Sequence, residues 1–463
     1  MKLAASVAGS IVALTALAAF EGDARACGGC FTPPENPTVV TDHRMILSVS
    51  KEQSTLYDQI RYQGDPSAFA WVLPVSGTVE VGLSADVVFE ALNGMTQTQI
   101  NAPPLNCPPR PNCDERSAGF AGSAAPEDAS GGGVTVTKRE VVGPYETVQL
   151  KATDPAALQN WLTTNNFNVP ADVQPVVNQY VTEKFDFLAL KLIPGKGVQD
   201  MRPVRVTTKG PAVVLPLRMV AAGTGPVVGI GLWVIGEGRY EPQNFPSFFI
   251  PTAEIAWDWT QGKSNYTELR AARATAGAGR AWELESSTLI NRGTLENAVQ
   301  YGYFGGGGAV PSDPEAQAQQ AYLPVIDAQG VVVKTAQQVR SEDMSTLFSG
   351  IPTASVRATR LRADLAHAAL DADLVMIASQ DQAVVSNIRQ LSKEIGEPLC
   401  PVWDGCNSIG QAPRSEAQAR ANGGSESFSC TTVKAKSQSP FWLGIGAGFL
   451  ALALGHAVRR HRR

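Results

Sequence analysis

The chain has 463 residues, of which 44% are hydrophobic and 17% are charged, and its formal net charge is −5. Charged residues make up about 25% of an average protein, so this chain is poor in charge, although its composition is not that of a disordered protein. Of its four histidines, His456 and His461 lie in the last eight residues. Because only His43 and His367 are left for a folded body, a zinc site of three histidines is excluded within one chain.

The amino-terminal segment predicts export. Lys2 is followed over residues 3–20 by apolar or small residues without charge, and the segment ends in Ala24-Arg25-Ala26. A positive start, an apolar stretch and an A-x-A sequence are typical of a secretory signal peptide. We therefore predict that residues 1–26 are removed and that Cys27 becomes the first residue. An uncleaved anchor and lipidation of Cys27 are the alternatives.

In chain order, short apolar or alternating runs between turn residues predict strands. These runs cover residues 45–49, 69–75, 134–137, 147–150, 204–207, 213–215, 228–235 and 255–259. Helical patterns are fewer: one begins at Asp154-Pro155, and others cover 266–285, 341–348 and 384–395. The pattern predicts a β-rich α+β fold, with antiparallel strands, a few helices and one carboxyl-terminal transmembrane helix.

Composition divides the mature chain into a body and a stalk. We predict a β-rich ectodomain over residues 27–407, interrupted by a loop or insertion over residues 101–133 that is rich in Pro, Gly, Ala and Ser. A second break follows Gly305. Residues 408–439 are polar and predict a stalk between the ectodomain and the membrane.

The carboxyl-terminal segment predicts a membrane anchor. Residues 441–458 are apolar except for His456, and as a helix they span about 27 Å, close to the ~30 Å of bilayer hydrocarbon. Trp442 suits one interface, and the four arginines of residues 459–463 suit the cytoplasmic side. We predict a transmembrane helix over 440–458 and a basic cytoplasmic tail over 459–463. The tail is also similar to bacterial sorting signals, so its removal and sorting to the cell surface is the alternative.

Charge argues against a nucleic-acid partner. The leader and the tail carry six basic residues and two acidic ones, so residues 27–439 between them, the ectodomain with its stalk, have a formal charge of about −9. Phosphate binding needs clustered Lys and Arg, which an acidic body does not favour. The partner that the sequence predicts is the membrane itself, and any envelope polymer or protein partner is left unnamed.

Seven cysteines in an exported chain predict disulfides. Cys107 and Cys113 lie six positions apart, as do Cys400 and Cys406, and each pair is predicted to close a short loop. For Cys107 and Cys113 this loop would clasp the 101–133 insertion. Cys27, Cys30 and Cys430 remain, so one thiol is left over.

The pair Cys27 and Cys30 is the sharpest local motif. Two thiolates three positions apart can share Cu(I) or Zn, or act as a redox pair. A redox CxxC usually opens a helix, whereas the proline-rich run after Cys30 is not helical. The alternative is structural, either a disulfide between the two or separate pairing with a distant cysteine such as Cys430.

Several strings together resemble one bacterial family. They are Phe69-Ala-Trp-Val-Leu-Pro-Val75, Trp161-Leu162 before Val169-Pro170, Phe187-Leu-Ala-Leu-Lys-Leu192, Leu215-Pro-Leu-Arg-Met219, Asn244-Phe245-Pro246 and Trp257-Asp258. The chain is similar, from Cys27 to about Cys406, to domain of unknown function 2330. The resemblance implies an exported protein with a Cys- and Gly-rich start and often a carboxyl-terminal anchor. It implies no activity.

Two further features are candidates for binding or catalysis. Alternation places Trp257 and Trp259 on one face of a strand, where they form a ligand platform for a sugar ring or a peptide, or else pack in the core. Ser341-Glu342-Asp343 is interpreted as a helix start, because acidic side chains favour the positive end of the helix dipole. A glycosidase carboxylate pair leaves no local signature, since its members can be distant in sequence.

The sequence therefore predicts an exported, membrane-anchored envelope protein with a non-catalytic binding or structural role. No motif requires a cofactor, and no residue is predicted to be catalytic. The alternative is an exported metal-handling or redox protein that uses Cys27 and Cys30, or a carboxylate-based hydrolase.

Overall fold

A computed structural model describes residues 30–31, 39–63, 70–111, 140–151, 159–160, 164, 174–193, 195–197, 200–221, 226–302, 310–327 and 329–423. These residues fall into two compact units. The first unit comprises those within Met1–Leu105 and Glu115–Pro398, and the second comprises those within Asn106–Asp114 and Leu399–Arg463.

Strands dominate the described residues. The strands are β1 (Cys30–Phe31), β2 (Val39–Val49), β3 (Gln53–Gln63), β4 (Ala70–Val75), β5 (Glu80–Leu83), β6 (Gln99–Asn101), β7 (Glu140–Val142), β8 (Tyr145–Leu150), β9 (Asp186–Leu192), β10 (Val204–Lys209), β11 (Val214–Leu215), β12 (Val227–Gly236), β13 (Tyr240–Pro242), β14 (Ser247–Phe248), β15 (Ala256–Asp258), β16 (Lys263–Ser264), β17 (Trp282–Leu289), β18 (Val325–Ile326), β19 (Val332–Lys334), β20 (Arg357–Ala366), β21 (Leu374–Ala378), β22 (Ile388–Gln390), β23 (Lys393–Ile395), β24 (Leu399–Asp404) and β25 (Asn407–Pro413). The α-helices are α1 (Asp86–Thr96), α2 (Gln174–Thr182), α3 (Leu217–Val220), α4 (Tyr266–Ala276), α5 (Arg292–Tyr301), α6 (Pro314–Ala318), α7 (Ala336–Leu347) and α8 (Arg414–Asn422). The predicted strand-rich α+β class is confirmed.

An eight-stranded sheet forms the centre of the first unit. Its strand order is β14-β17-β20-β12-β2-β3-β10-β5. Most neighbours are antiparallel, whereas β12 runs parallel to β2 and β14 runs parallel to β17. The sheet is therefore mixed.

Alternation along the central strands buries both faces of this sheet. On β2, Met45 and Leu47 belong to one hydrophobic core and Ile46 belongs to another. On β12, Leu232 and Trp233 divide in the same way. Successive side chains of a strand point to opposite faces, so these central strands contribute to two cores at once.

A five-stranded antiparallel sheet packs on one face of the large sheet. Its strand order is β1-β4-β9-β8-β7. Trp71 and Leu73 of β4 and Leu190 of β9 share a hydrophobic core with Met45 and Leu232 of the large sheet. The other face of the small sheet is covered by α2.

Helices cover the other face of the large sheet. Phe89 of α1, Leu295 of α5, Ala318 of α6 and Leu347 of α7 pack in one core with Trp233 of β12. The ring of Phe89 meets the indole of Trp233 edge-on, with centroids 6.2 Å apart. The first unit thus has four layers in the order helix, sheet, sheet, helices.

The helices that cover the large sheet begin where the sequence supplies caps. Thr335 and Gln338 form a capping box at the start of α7, and Asn291 accepts a hydrogen bond from the backbone N–H of Thr294 at the start of α5. The helix predicted over 341–348 is confirmed, but it begins at Ala336 because the cap lies upstream of the Ser-Glu-Asp sequence.

Two predicted helices are corrected by the structure. The helix predicted over 266–285 ends at Ala276, because Ala278 and Gly279 adopt positive φ angles of 54° and 67°, and β17 follows. The helix predicted over 384–395 is wrong, since β22 and β23 occupy this segment and pair with β6 and β15. The apolar residues at helical intervals in this segment do not form one buried face, because Leu391 is buried whereas Ile388 and Ile395 are more than half exposed.

The second unit is a hairpin of β24 and β25 with α8 packed on it. Its small core contains Cys400, Val402, Ala412 and Ala417. The first part of the predicted stalk, residues 408–422, instead forms most of β25 and all of α8. The folded chain therefore extends beyond the predicted boundary at residue 407.

Among the described residues, no helix is both long and apolar enough to cross a membrane. The predicted signal peptide 1–26, transmembrane helix 440–458 and basic tail 459–463 lie outside the described residues, as does most of the remaining stalk. The predicted strand 134–137 and the Asp154-Pro155 helix start also lie outside them.

Candidate functional site

The cysteines of the second unit pair across the sequence rather than locally. Cys107 and Cys400 form a disulfide, although they are separated by 293 positions, and Cys406 is also disulfide-bonded. The predicted local pairings of Cys107 with Cys113 and of Cys400 with Cys406 are therefore wrong. Cys113 itself lies outside the described residues.

The geometry of the hairpin explains this correction. Cys400 lies opposite Ala412, whereas Cys406 lies in the turn beyond Asp404. At 3.3 Å per residue, the extended strand from Cys400 to Asp404 is roughly 13 Å long, and Cys406 lies beyond its end. A disulfide requires Cα atoms within about 7 Å, so Cys400 and Cys406 cannot bridge in this conformation.

Cys30, the second cysteine of the CxxC motif, lies in a strand. Its backbone pairs with that of Trp71 at the edge of the five-stranded sheet. Among the described residues, no group of three or more His, Cys, Asp or Glu side chains is arranged to hold a metal ion. Cys27 lies outside those residues, so the metal hypothesis for Cys27 and Cys30 stays a prediction.

Trp257 and Trp259 lie together, as their spacing predicts. Their ring centroids are 6.1 Å apart in an edge-to-face arrangement, and both side chains are half-buried. Trp257 packs against a small core of Ile250, Ile255 and Leu391. The indole N–H of Trp259, in the turn after β15, donates a 2.7 Å hydrogen bond to Glu394. Trp257 thus contributes to packing, and Trp259 is the residue to which the hypothesis of a ligand platform still applies.

A buried carboxyl group next to this aromatic region was not predicted. Glu283 of β17 is 2% exposed, and its Oε1 accepts a 2.6 Å hydrogen bond from the hydroxyl of Tyr266 on α4. Burial is the largest influence and raises the pKa of Glu283, the Tyr266 hydrogen bond lowers it, the charge of Glu285 raises it, and the charges of Arg270 and Arg362 lower it; the net result is a pKa of about 7. Glu283 therefore exchanges a proton near neutral pH.

The neighbouring carboxylate, Glu285, is held in a fixed ion pair. Arg360 of β20 donates to Glu285 from Nε, to Asn93 from Nη1, and stacks on Trp233 with 5.1 Å between its guanidinium carbon and the ring centroid. Arg389 of β22 donates a 3.0 Å hydrogen bond to the backbone carbonyl of Glu285. Glu283 and Glu285 are thus close in sequence but differ in their partners, because the charge of Glu285 is balanced by Arg360 whereas Glu283 accepts a hydrogen bond from Tyr266.

A second buried carboxyl, Asp343, lies on α7 in the core between that helix and the sheet. Its Oδ2 accepts hydrogen bonds from Ser84 at 2.7 Å and from Tyr322 at 3.0 Å. Burial raises the pKa of Asp343 to about 6, against the lowering effect of the Arg205 charge 3.7 Å away and of its two hydrogen bonds. The predicted role of Asp343 as an acid at a helix start is wrong, since it lies in the middle of α7.

His43 lies in the core between the two sheets. Its Nδ1 is 3.4 Å from Oδ1 of Asp58, and both side chains are almost fully buried. A cavity beside them, lined also by Trp71, Leu73 and Met219, has room for about one water molecule. Sites for small organic ligands are several hundred Å³ in volume, so this cavity is too small for a substrate. His367, in contrast, is exposed.

A family model matches residues 22–328, about two thirds of the chain, and its description is an uncharacterized protein conserved in bacteria (DUF2330). The chain belongs to this family. A search of curated proteins and a search of solved structures each gave no match.

Four of the strings that resemble DUF2330 fall mainly on β4, β9, the β11–α3 segment and β15. Asn244-Phe245-Pro246 lies between β13 and β14, and Trp161-Leu162 and Val169-Pro170 lie outside the described residues. The match ends at residue 328, earlier than the expected limit near Cys406, so α7, β20 and the part of the second unit within Leu399–Arg463 lie beyond it. Glu283 and Trp257 lie within the DUF2330 range, and Asp343 and Cys400 do not.

Proposed function

We propose that this DUF2330 member is an exported protein of the bacterial cell envelope, anchored in a membrane through residues 441–458, with a non-catalytic binding or structural role. The observation that carries this proposal is the Cys107–Cys400 disulfide. Disulfides form and persist in oxidising compartments such as the periplasm and the cell surface, and they are rare in the cytosol. Export of the folded units accounts for the disulfide without a redox function.

The surroundings of the buried carboxyl groups support binding rather than hydrolysis. Carboxylate-based glycoside hydrolysis needs an acid and a base or nucleophile on either side of an accessible bond. Glu285 is held by Arg360, and Asp343 is 0% exposed between Ser84 and Tyr322. Neither group has the access that an acid or a nucleophile requires.

The mass of the intact protein, extracted from its native membrane before and after reduction, tests this proposal. We expect a chain that begins at Cys27, retains residues 459–463 and gains six hydrogen atoms on reduction, from three disulfides among the seven cysteines. A chain that begins at Met1 and is recovered from the cytosol would overturn the proposal. A metal lost on denaturation, with Cys27 and Cys30 reduced, would favour metal handling, and a mass without the tail would favour sorting.

A matched pair of variants tests the anchor. Leu450→Arg places a charge at the centre of residues 441–458, where an arginine raises the insertion free energy by about 3 kcal/mol. We expect this variant to appear in the soluble fraction, while Ser437→Arg in the predicted stalk stays in the membrane fraction. Equal membrane retention of both variants would contradict the anchor.

A further inference from the structure

A row of polar residues crosses five strands of the large sheet. Glu283 of β17 lies opposite Arg362 of β20, which lies opposite Gly231 of β12. Gly231 in turn lies opposite Arg44 of β2, which lies opposite Gln59 of β3. We call these five residues the polar row.

The polar row lies on the helix-covered side of the sheet. Leu361 and Ala363 of β20 and Leu232 of β12 point into the core between the two sheets. Because side chains alternate along a strand, Arg362 and Gly231 point to the opposite side. Two residue pairs further along β12 and β20, on the same side of the sheet, Trp233 and Arg360 lie where the packed helical core begins.

Along the row, the central glycine leaves a gap between two arginines. A Cβ atom at Gly231 would meet only the carbonyl oxygen of His43, at 4.0 Å. Neighbouring strands are about 4.8 Å apart, so the backbones of Arg362 and Arg44 lie about 10 Å apart across this gap. Gly231, Arg44 and Arg362 are all partly exposed. The gap thus has a floor of backbone and walls that carry guanidinium groups.

Two atoms in the polar row have no hydrogen-bond partner among the described residues, Nε of Arg362 and Oε2 of Glu283. Both atoms are buried. Arg362 and Arg270 approach Asp364 only to 3.8 and 3.9 Å. A buried polar atom without a partner is costly, so a ligand that offers Nε of Arg362 a hydrogen-bond acceptor would be favoured here.

We propose that the polar row binds an oxyanion, a carboxylate or phosphate group of a small ligand, between Arg362 and Arg44 over Gly231. Arg362 presents an Nε–H and an Nη–H in the fork that grips a carboxylate or phosphate with two parallel hydrogen bonds. Glu283 lies on the side of Arg362 away from Gly231, and its carboxyl is substantially protonated near neutral pH, since its pKa is about 7, so it does not bring a full negative charge to compete with the ligand for Arg362. This inference names a ligand class for the proposed binding function and rests on it only for its biological setting.

The test is thermal unfolding of the full-length protein in detergent at constant ionic strength, with sodium chloride replaced stepwise by inorganic phosphate or by acetate. A ligand that binds the folded state raises Tm with concentration, which gives an apparent affinity. We expect phosphate, acetate or both to raise Tm, and we expect Arg362→Gln to weaken the apparent affinity about tenfold or more. Arg420→Gln on α8, an exposed arginine paired with Glu416, is the control for the change in charge.

Gly231→Val provides a second, independent variant. Its side chain fills the gap without removing a charge, and valine suits a strand, so we expect the fold to be kept and the response to the probe to be lost. Phosphate also stabilises proteins because it is excluded from their surface. The rise in Tm from this effect is expected to be the same in every variant, so only the difference between variants reports binding. The proposal is wrong if neither phosphate nor acetate raises the Tm of the unmodified protein. It is also wrong if these probes raise the Tm of Arg362→Gln and Gly231→Val as much as that of the unmodified protein. A cytosolic location would overturn the proposed function but leave this result unaffected.

Discussion

The hydroxyl of Tyr266 donates a 2.6 Å hydrogen bond to Oε1 of Glu283, which joins α4 to the end of the polar row. The charged groups facing Glu283 are Arg270 of α4, Arg362 of β20, Glu285 of β17 and Arg389 of β22. Two arginines lower the pKa of Glu283, but burial outweighs them and raises it to about 7. The fold therefore keeps a proton on Glu283 that the unfolded chain releases near pH 4.5.

This proton makes stability depend on pH. Between pH 4.5 and 7 the folded state binds the proton of Glu283 more tightly than the unfolded state does, so the free energy of unfolding falls as pH rises. The contribution is fully present below the unfolded pKa and is lost as pH passes the folded pKa, a total of about 3 kcal/mol. We expect Glu283→Gln, which imitates the protonated form, to be more stable than the unmodified protein at pH 8 and to differ little from it at pH 4.5.

Urea unfolding at several pH values between 4.5 and 8 checks this expectation. Glu90→Gln, at an exposed position on α1, is the matched control and is expected to follow the unmodified protein. If the free energies of unfolding of Glu283→Gln and of the unmodified protein change with pH in parallel, folding does not shift the pKa of Glu283 and the expectation is wrong.

The hydrogen bonds of Asp343, rather than its charge, are expected to determine its contribution to stability. Asp343→Ala leaves the hydroxyls of Ser84 and Tyr322 without their acceptor inside the protein, at a cost of about 3 kcal/mol. Asp343→Asn keeps an acceptor oxygen and imitates the protonated form that burial favours, so its cost is expected to be smaller. Urea unfolding at pH 7 compares the two variants. Equal losses would show that the negative charge near Arg205 matters more than the hydrogen bonds.

The main sheets were predictable because strands buried on one or both faces leave clear patterns. The runs 45–49, 204–207 and 228–235 all lie in strands of the large sheet. The apolar side chains of 45–49 and 228–235 contribute to two cores, whereas those of 204–207 face one core and alternate with polar residues. The segment 384–395 was not predictable, because two three-residue strands placed apolar residues at helical intervals by coincidence. Short strands are defined by their partners, and those partners are distant in sequence.

The polar row was partly visible in the sequence. On β20, the charged residues 360, 362 and 364 alternate with the apolar residues 361, 363 and 365, which is the pattern of a half-exposed strand. The sequence does not show that Glu283, Gly231 and Arg44 lie in register with Arg362, because register depends on strand order across the whole sheet. Glu283 alone resembles any solvent-facing glutamate in an alternating strand.

Trp257 and Trp259 are expected to differ in their effects on stability. Trp257 packs on Ile250, Ile255 and Leu391, so Trp257→Ala is expected to lower the free energy of unfolding by roughly 2 kcal/mol, less than for a fully buried tryptophan. Trp259 is attached through its hydrogen bond to Glu394, so Trp259→Ala is expected to cost less than about 1 kcal/mol. Chemical denaturation measures both. A loss for Trp259→Ala as large as for Trp257→Ala would place both indoles in the core and leave no platform.

The pairing of Cys107 with Cys400 predicts which peptides remain joined after proteolysis. Trypsin is expected to release residues 62–116, which contain Cys107 and Cys113, and residues 394–414, which contain Cys400 and Cys406, because Arg110 precedes a proline and resists cleavage. With the cross-sequence disulfide these two peptides stay joined until reduction, whereas local pairing would release them separately. Mass spectrometry of the unreduced digest distinguishes the two results. Cys400→Ser removes the Cys107–Cys400 bond and is expected to destabilise the second unit by about 2–5 kcal/mol, the usual cost of losing a native disulfide. Two separate peptides in the digest of the unmodified protein would overturn the pairing and remove the main support for export.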